Sequence, residues 1–368
     1  MPVSLVTSRR TRRTFYTARV EEQGVSAYTV YNHMLLPAAF RSLEDDYWHL
    51  VEHVQLWDVG CERQVELKGP DAARLAQAMT PRDLGRAVVG QCLYAPLVDE
   101  GGGMINDPVI LKLAEDRFWL SIADSDVLLW AKGLAHGLGL DVNVREPDVC
   151  PLAVQGPKAD DVMAAVFGDD VRAIRFFRFA VLEFQGHPLV VARSGWSKQG
   201  GFEVYADNAA VGLALWDALW EAGQPFNIGP GCPNLIERIE GALLSYGNDI
   251  LYGENPYECG LDKFCNLDRP IEFIGRAALE RIAADGVTRK IRGLRIDGDP
   301  CLPAAEPWPV LAAGRRVGEV RSAVWSPRLQ ANIANAMIDR EFWPAGTQVE
   351  VEMPGGAVTA TVADLPFV

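Results

Sequence analysis

From about Gly286 onward the chain changes register. Six short runs, RKIRGLRI, WPVLAA, RRVGEVRSAVW, ANIANAMI, TQVEVEM and AVTATVA, follow one another with almost no helical periodicity, separated by Gly, Pro and Asp. Short strands at such spacing bury their apolar faces only by pairing with one another, so residues 286–368 are predicted to form a small all-β barrel or sandwich. It is appended to a larger region, 1–285, of different character.

In that larger region strands and helices alternate. RSLEDDYWHLVEHVQLW (41–57) places Leu43, Tyr47, Leu50, Val51 and Val54 near helical spacing and predicts an amphipathic helix. RQVELKG reads as a half-buried strand, after which Gly69-Pro70 opens the helix PDAARLAQAM. The same strand, Gly-Pro and helix phrase recurs over Pro151–Val166. RFWLSIA and SDVLLWAKGLA form another strand and helix; PLVVARSG and FEVYA bracket Gly195–Gly201 and precede the helix AAVGLALWDALWEAG. The expected class is mixed α/β or α+β, and 368 residues call for two or three packed units.

Charge and cysteine usage exclude several functions. A net charge of −14 opposes a broad nucleic-acid surface, which needs clustered Lys and Arg. The one basic cluster, Arg9-Arg10 with Arg12-Arg13, reads as a solvated or docked arm. Apolar runs fall short of the ~20 residues that a membrane helix requires. The seven cysteines form no CxxC pair and their odd count suits no disulfide framework; a reduced cytoplasm is the expected compartment and no metal site is expected. No local feature specifies an oligomer, although a homodimer is compatible with the sequence.

Four segments could carry chemistry. In DEGGGMINDPVI three consecutive glycines permit left-handed backbone and precede Asn106 and Asp107, although such a pattern is more often a plain hairpin turn with a solvated aspartate. In ARSGWSKQGGFEVY, Trp196 sits among glycines where its ring could stack on a heterocycle or meet a cation. Glu203 there projects opposite Phe202 and Val204; the bland alternative is a hairpin with the Trp on the core and the Glu in water. Within ERIEGALLSYGND, local reading gives Arg238 a structural salt bridge and Tyr246–Asp249 a helix end and turn. The aromatics of AYTVYNHMLLPAAF, Tyr31 included, read as core, and His33 as a structural histidine.

Taken in order, LWDVG (56–60), GGMINDPVI, AVQGPKA (153–159), RSGWSKQGGFE, ERIEGALLSYGND and GEVRSAVWSPRLQANIA resemble successive motifs of the folate-dependent aminomethyltransferase family known from the glycine cleavage system. Each motif is weak alone; six in one order are specific. Asn106 replaces the first aspartate of the family's pair, and Trp196 replaces a tyrosine. Ser197, Lys198 and Gln199 stand for threonine-glycine-glutamate, and Asn234 for an arginine. EEQGVSAYTVYNHMLLPAAF, LSIADSD and RSGWSKQGGFEVY are similar instead to the branch that demethylates dimethylsulfoniopropionate.

The resemblance implies an α+β fold of three units around a central opening with a C-terminal β-barrel. It implies tetrahydrofolate as cofactor, its pterin held by Glu203 and flanked by Tyr94, Phe176 and Trp196, with Arg238 also on a matching position. Asp107 and Asn106 fall on the catalytic positions. The partner is a small zwitterionic methyl donor, its cation against Trp196 and possible further rings of Tyr31 or Tyr205, its carboxylate on Lys198 or a main-chain amide. Other sulfonium, betaine or dimethylglycine donors, glycine cleavage itself, and a non-enzymatic folate-binding role remain open. The last is disfavoured because Cys259 and Cys265, in ECGLDKFC, lie outside the setting that such relatives use.

Overall fold

All six C-terminal runs are strands in the computed structural model, which describes residues 8–368, and they close on themselves. Around the barrel the order is Arg289–Ile296, Ala331–Asp339, Arg315–Ser326, Trp308–Ala312, Gln348–Met353 and Gly356–Ala363, the last pairing back on the first. Closure removes both sheet edges and lets Leu294, Val310, Val320, Ala334, Val351 and Val362 fill the interior.

The barrel belongs to a compact unit made of Asp71–Ala87, Tyr94–Pro108 and Leu235–Val368. This unit also holds the helices Ala72–Ala78, Leu235–Glu240 and Arg276–Asp285 and the hairpin of Leu97–Val98 with Met104–Asn106. Asp99 shapes the hairpin turn by accepting the Gly101 and Gly103 amides, both through Oδ1, while Gly102 takes a positive φ of 81°. The glycine run is therefore a hairpin turn that delivers Asn106 and Asp107.

The other unit comprises the described residues up to Pro70, with Val88–Leu93 and Val109–Asn234. One sheet runs Asn143–Arg145, Gln64–Lys68, Arg117–Ser121, Val109–Ala114 and Gln91–Tyr94. A six-stranded sheet runs Phe179–Phe184, His187–Ala192, Gly201–Ala206, Cys150–Gln155, Val54–Asp58 and Ile228–Gly231. Alternation along Gly201–Ala206 decides what each side chain does. Phe202 and Val204 enter the larger core with Val162, Met163, Leu215 and Trp216 of the helices Ala159–Phe167 and Ala209–Gly223. Tyr205 turns the other way and packs with Leu111 and Trp119 of the five-stranded sheet. Glu203 shares the Tyr205 face.

Two expectations need correcting. The 41–57 helix is shorter: it spans Leu43–Glu52, capped by the Ser42 hydroxyl on the Asp45 amide, and Val54–Asp58 is a strand. His53 breaks the helix at φ −130°, ψ −132°. Every residue of the strand is buried, and a fully buried run has no alternation to distinguish it from helix. The aromatic amino-terminal run forms a hairpin, Ala27–Tyr31 with Met34–Ala39, turned by Asn32 and His33 with φ of 51° and 61°. Phe40 is buried as expected, but Tyr28 and Tyr31 are half-buried and His33 is an exposed turn residue.

Candidate functional site

In the barrel-containing unit the candidates gather at Asp107. Tyr94 leaves the strand Gln91–Tyr94, and the Ala95 amide donates to the Pro108 carbonyl at 3.0 Å, bringing the two segments side by side. The Tyr94 hydroxyl donates to Asp107 Oδ2 at 2.9 Å. Its ring meets Phe264 edge-on at 5.1 Å, and Arg82 binds its carbonyl. Burial pushes the Asp107 carboxyl up to about 7 and the neighbouring charge of Asp249 adds to this, while the Tyr94 hydrogen bond opposes it. Burial and Asp107 together push the Tyr94 phenol well up, so Tyr94 stays a donor. Asn106 beside them is fully buried.

This segment is held from behind by the SYGND turn. The Tyr246 hydroxyl donates to the Met104 carbonyl at 3.3 Å, and the Met104 amide donates to the Glu254 carbonyl at 2.6 Å. Asp249, wholly buried, accepts from Arg238 at 2.5 Å and from the Ser245 amide at 2.9 Å. Arg238 also donates to Ser322 at 2.7 Å. The salt bridge expected from local reading is present, and it fixes the turn that supports Asp107.

In the two-sheet unit the candidates gather at Glu203, which is 6 % exposed. It is not the solvated carboxylate of the bland alternative. Its Oε2 accepts the Ser194 hydroxyl at 2.5 Å and the Tyr205 hydroxyl at 3.2 Å. Both bonds fall on one oxygen, and Oε1 keeps its acceptor capacity. Burial raises its carboxyl above the ordinary range against those two bonds. Glu66 makes the contrast: wholly buried, it is saturated by Arg117 at 2.6 Å, Arg145 at 2.7 Å and the Trp119 indole at 2.9 Å. A carboxylate so saturated is structural, whereas Glu203 is available to a ligand.

The Trp196 loop is clamped onto this sheet by Gln155. Its amide nitrogen donates to the Ser194 carbonyl at 3.1 Å, and its carbonyl oxygen accepts the Ser197 hydroxyl at 2.8 Å. The Gly156 amide donates to the Gly200 carbonyl at 3.0 Å. Such closeness requires glycine, since a Cβ on Gly195 would lie 2.0 Å from the Gln155 amide nitrogen. Trp196 is half-buried and Lys198 exposed on this loop. Phe176 is 71 % exposed and meets Phe177 edge-on, while Tyr31 ends its hairpin strand.

Thus Tyr94, Asn106, Asp107 and Arg238 belong to one unit, and Tyr31, Phe176, Trp196, Lys198, Glu203 and Tyr205 to the other. Sequence reasoning missed Ser194 and Gln155; only Gln155 was recoverable from strand pairing, in which it faces Gly201.

A reduced pterin presents adjacent N–H donors on its pyrimidine edge, and a buried carboxylate with an uncommitted oxygen fits that edge. Among the described residues no group of three or more His, Cys, Asp or Glu could hold a metal, and no helix is long and apolar enough to cross a membrane.

Comparison with known proteins gives the family. Residues 16–269 match the GCVT N-terminal domain and residues 289–368 the glycine cleavage T-protein C-terminal barrel domain. The chain is 56% identical over 363 residues to a dimethylsulfoniopropionate demethylase, DmdA, of Ruegeria pomeroyi, covering 98% of both chains. It is 33% identical over 344 residues to an aminomethyltransferase of Symbiobacterium thermophilum, covering 90% of this chain and 91% of that one. The crystal structure of the glycine cleavage system aminomethyltransferase T from Bartonella henselae superposes with a TM-score of 0.86 at 22% identity, covering 97% of this chain and 98% of that one.

Proposed function

Because the chain belongs to the glycine cleavage T-protein family of aminomethyltransferases, we propose that it is a tetrahydrofolate-dependent demethylase that moves the S-methyl of dimethylsulfoniopropionate to tetrahydrofolate, leaving 3-(methylthio)propanoate. The observation that carries the choice of donor is the full-length likeness to the Ruegeria demethylase. Residues 1–285 are taken as the catalytic region and 286–368 as the barrel domain. Seven unpaired thiols suit the cytoplasm.

When bound, tetrahydrofolate supplies the nucleophilic nitrogen that accepts the methyl group. Glu203 would hold the pterin edge through its uncommitted oxygen, with Ser194 and Tyr205 fixing the carboxylate. Tyr94, Phe176 and Arg238 are assigned to the cofactor as well. A sulfonium donor releases a neutral thioether, so no residue has to protonate the leaving group, and the task left to the protein is positioning. Asp107, held by Tyr94, faces developing positive charge on the acceptor or takes up its proton at neutral pH. Asn106 can orient without adding a second charge. The indole of Trp196 accepts the donor cation, with Tyr31 and Tyr205 as further rings, and Lys198 pairs with the donor carboxylate.

The test is a donor panel of dimethylsulfoniopropionate, glycine betaine, dimethylglycine and the glycine-cleavage intermediate, read as 5-methyltetrahydrofolate by mass. Preference for the sulfonium is expected; turnover of glycine betaine or dimethylglycine alone would reassign the donor. Trp196→Ala is expected to raise the donor KM about tenfold, equivalent to ~1.4 kcal/mol. An unchanged KM and kcat would remove Trp196 from the site.

A further inference from the structure

Arg82 follows the helix Ala72–Ala78 in a turn that is pinned at several points. Its amide donates to the buried Thr80 hydroxyl at 3.2 Å, and that hydroxyl donates to the Pro96 carbonyl at 2.7 Å. Its carbonyl accepts from the Gln77 side-chain nitrogen at 3.0 Å. Asn266 ties the turn to the segment that carries Phe264. The Asn266 amide donates to the Pro81 carbonyl at 2.9 Å, and its side-chain oxygen accepts the Asp83 amide at 2.8 Å. The Arg82 guanidinium lies over the Phe264 ring, 5.1 Å from its centroid, and Nη1 donates to the Tyr94 carbonyl. The Lys263 ammonium lies 5.1 Å from the same centroid. Two cations thus share one ring, and the edge-on contact of that ring with Tyr94 sets them beside a residue assigned to the cofactor.

Among the described residues neither cation has an acid to neutralise it. Arg63, Arg193 and Arg276 are half-buried like Arg82, and they pair with Glu146, Asp160 and Glu280 at 2.8, 2.9 and 2.9 Å. The acids next to Arg82 and Lys263 in the chain are used elsewhere: Asp83 accepts the Gly85 amide at 2.9 Å, and Asp262 faces Lys290 at 3.8 Å. Burial lowers the Arg82 pKa, and no carboxylate opposes that effect. Only Nη1 of Arg82 hydrogen-bonds within the protein, which leaves the Nε–Nη2 edge uncommitted. That edge is the planar fork that matches the two oxygens of a carboxylate. In a chain of net charge −14, two uncompensated cations on one ring call for an anion that the protein does not supply.

We propose that Arg82, Lys263 and Phe264 form a carboxylate subsite for the glutamate tail of tetrahydrofolate, an inference that rests on the folate-dependent reading above. Tetrahydrofolate carries its carboxylates at the end remote from the pterin, beyond a benzoyl ring. Arg82 takes one carboxylate through its fork, and Lys263, a flexible point charge, takes the other or one from a further glutamate. Half-burial strengthens the Arg82 contact, whereas Lys263 is exposed and contributes less. The methyl donor is the poorer occupant. Its cation lies a few bonds from its carboxylate and would be repelled by both positive groups.

Anaerobic titration calorimetry of the full chain tests the subsite without turnover. Two ligands are compared: tetrahydrofolate, and 6-methyltetrahydropterin, which has the reduced pterin and no carboxylate. Arg82→Gln should weaken tetrahydrofolate binding about tenfold and Lys263→Gln about two- to threefold. Each variant should bind 6-methyltetrahydropterin as the parent does. Added KCl should weaken tetrahydrofolate binding to the parent more than to the double variant. Lys263 is exposed, so Lys263→Gln reports on the tail even where Arg82→Gln disturbs its turn. Unchanged tetrahydrofolate affinity in both variants, an equal loss for both ligands in Lys263→Gln, or variants that raise only the donor KM overturn the subsite and leave the demethylase reading intact. A parent that binds neither ligand overturns both.

Discussion

A carboxyl group raised to about 7 is ionised in roughly half the molecules at neutral pH, so Asp107 can serve as either acid or base under working conditions. The same shift acts on stability. Below about pH 4 Asp107 is protonated folded and unfolded, and contributes nothing. Between pH 4 and 7 the unfolded chain loses this proton while the folded chain keeps it, so stability falls as pH rises, and above 7 the loss is complete. Asp107→Asn should therefore match the parent near pH 4 in urea unfolding and exceed it by about 2–4 kcal/mol at pH 8. A variant less stable than the parent at pH 8 would contradict this. Motif order singled out Asp107, Glu203 and Trp196 as candidates. Which carboxylate is saturated and which is available was not legible, because Arg117 and Arg145 reach Glu66 from two other strands.

At the scale of elements, the loop holding Trp196 depends on a close approach of strand ends. A Cβ on Gly201 would sit 2.2 Å from the Val154 carbonyl oxygen and 2.6 Å from the Gln155 amide nitrogen, at a φ of +152°. Gly200, next to it, has φ +80° with nothing within 4 Å. Gly201→Ala should thus destabilise the chain by about 2–4 kcal/mol, through backbone displacement, and Gly200→Ala by only about 1 kcal/mol. Equal urea midpoints for the two variants would refute the clamp described for Gln155. Repeated strand, Gly-Pro and helix phrases announced their elements because a turn residue and a change of period mark each boundary. The end of the helix Leu43–Glu52 was invisible because Val54–Asp58, buried on both faces, continues the same apolar signal.

At the scale of the whole molecule, a ligand that binds the folded chain and not the unfolded one raises stability by mass action. Tetrahydrofolate at about a hundred times its Kd should add ~2.7 kcal/mol, seen as a concentration-dependent rise in Tm. An unchanged Tm at saturating folate would argue against a folate-binding protein of any kind. The division into two units was only partly foreshadowed. The six barrel strands were predicted run by run, but that unit also recruits Asp71–Ala87, Tyr94–Pro108 and the segment from Leu235 onward. Such recruitment reverses chain order, and no local pattern encodes it.

The order of motifs, the alternation that turns Glu203 away from Phe202 and Val204, and the closing barrel were set by the sequence, because each rests on spacing within a few residues or on a run of similar strands. Tertiary structure alone decided the partners of the buried acids: Tyr94 on Asp107, Ser194 and Tyr205 on Glu203, and Arg238 on Asp249. Protonation is a property of such neighbourhoods. Burial and through-space charge come from segments distant in the chain, so the chemistry of these carboxyl groups becomes readable only once the sheets are assembled.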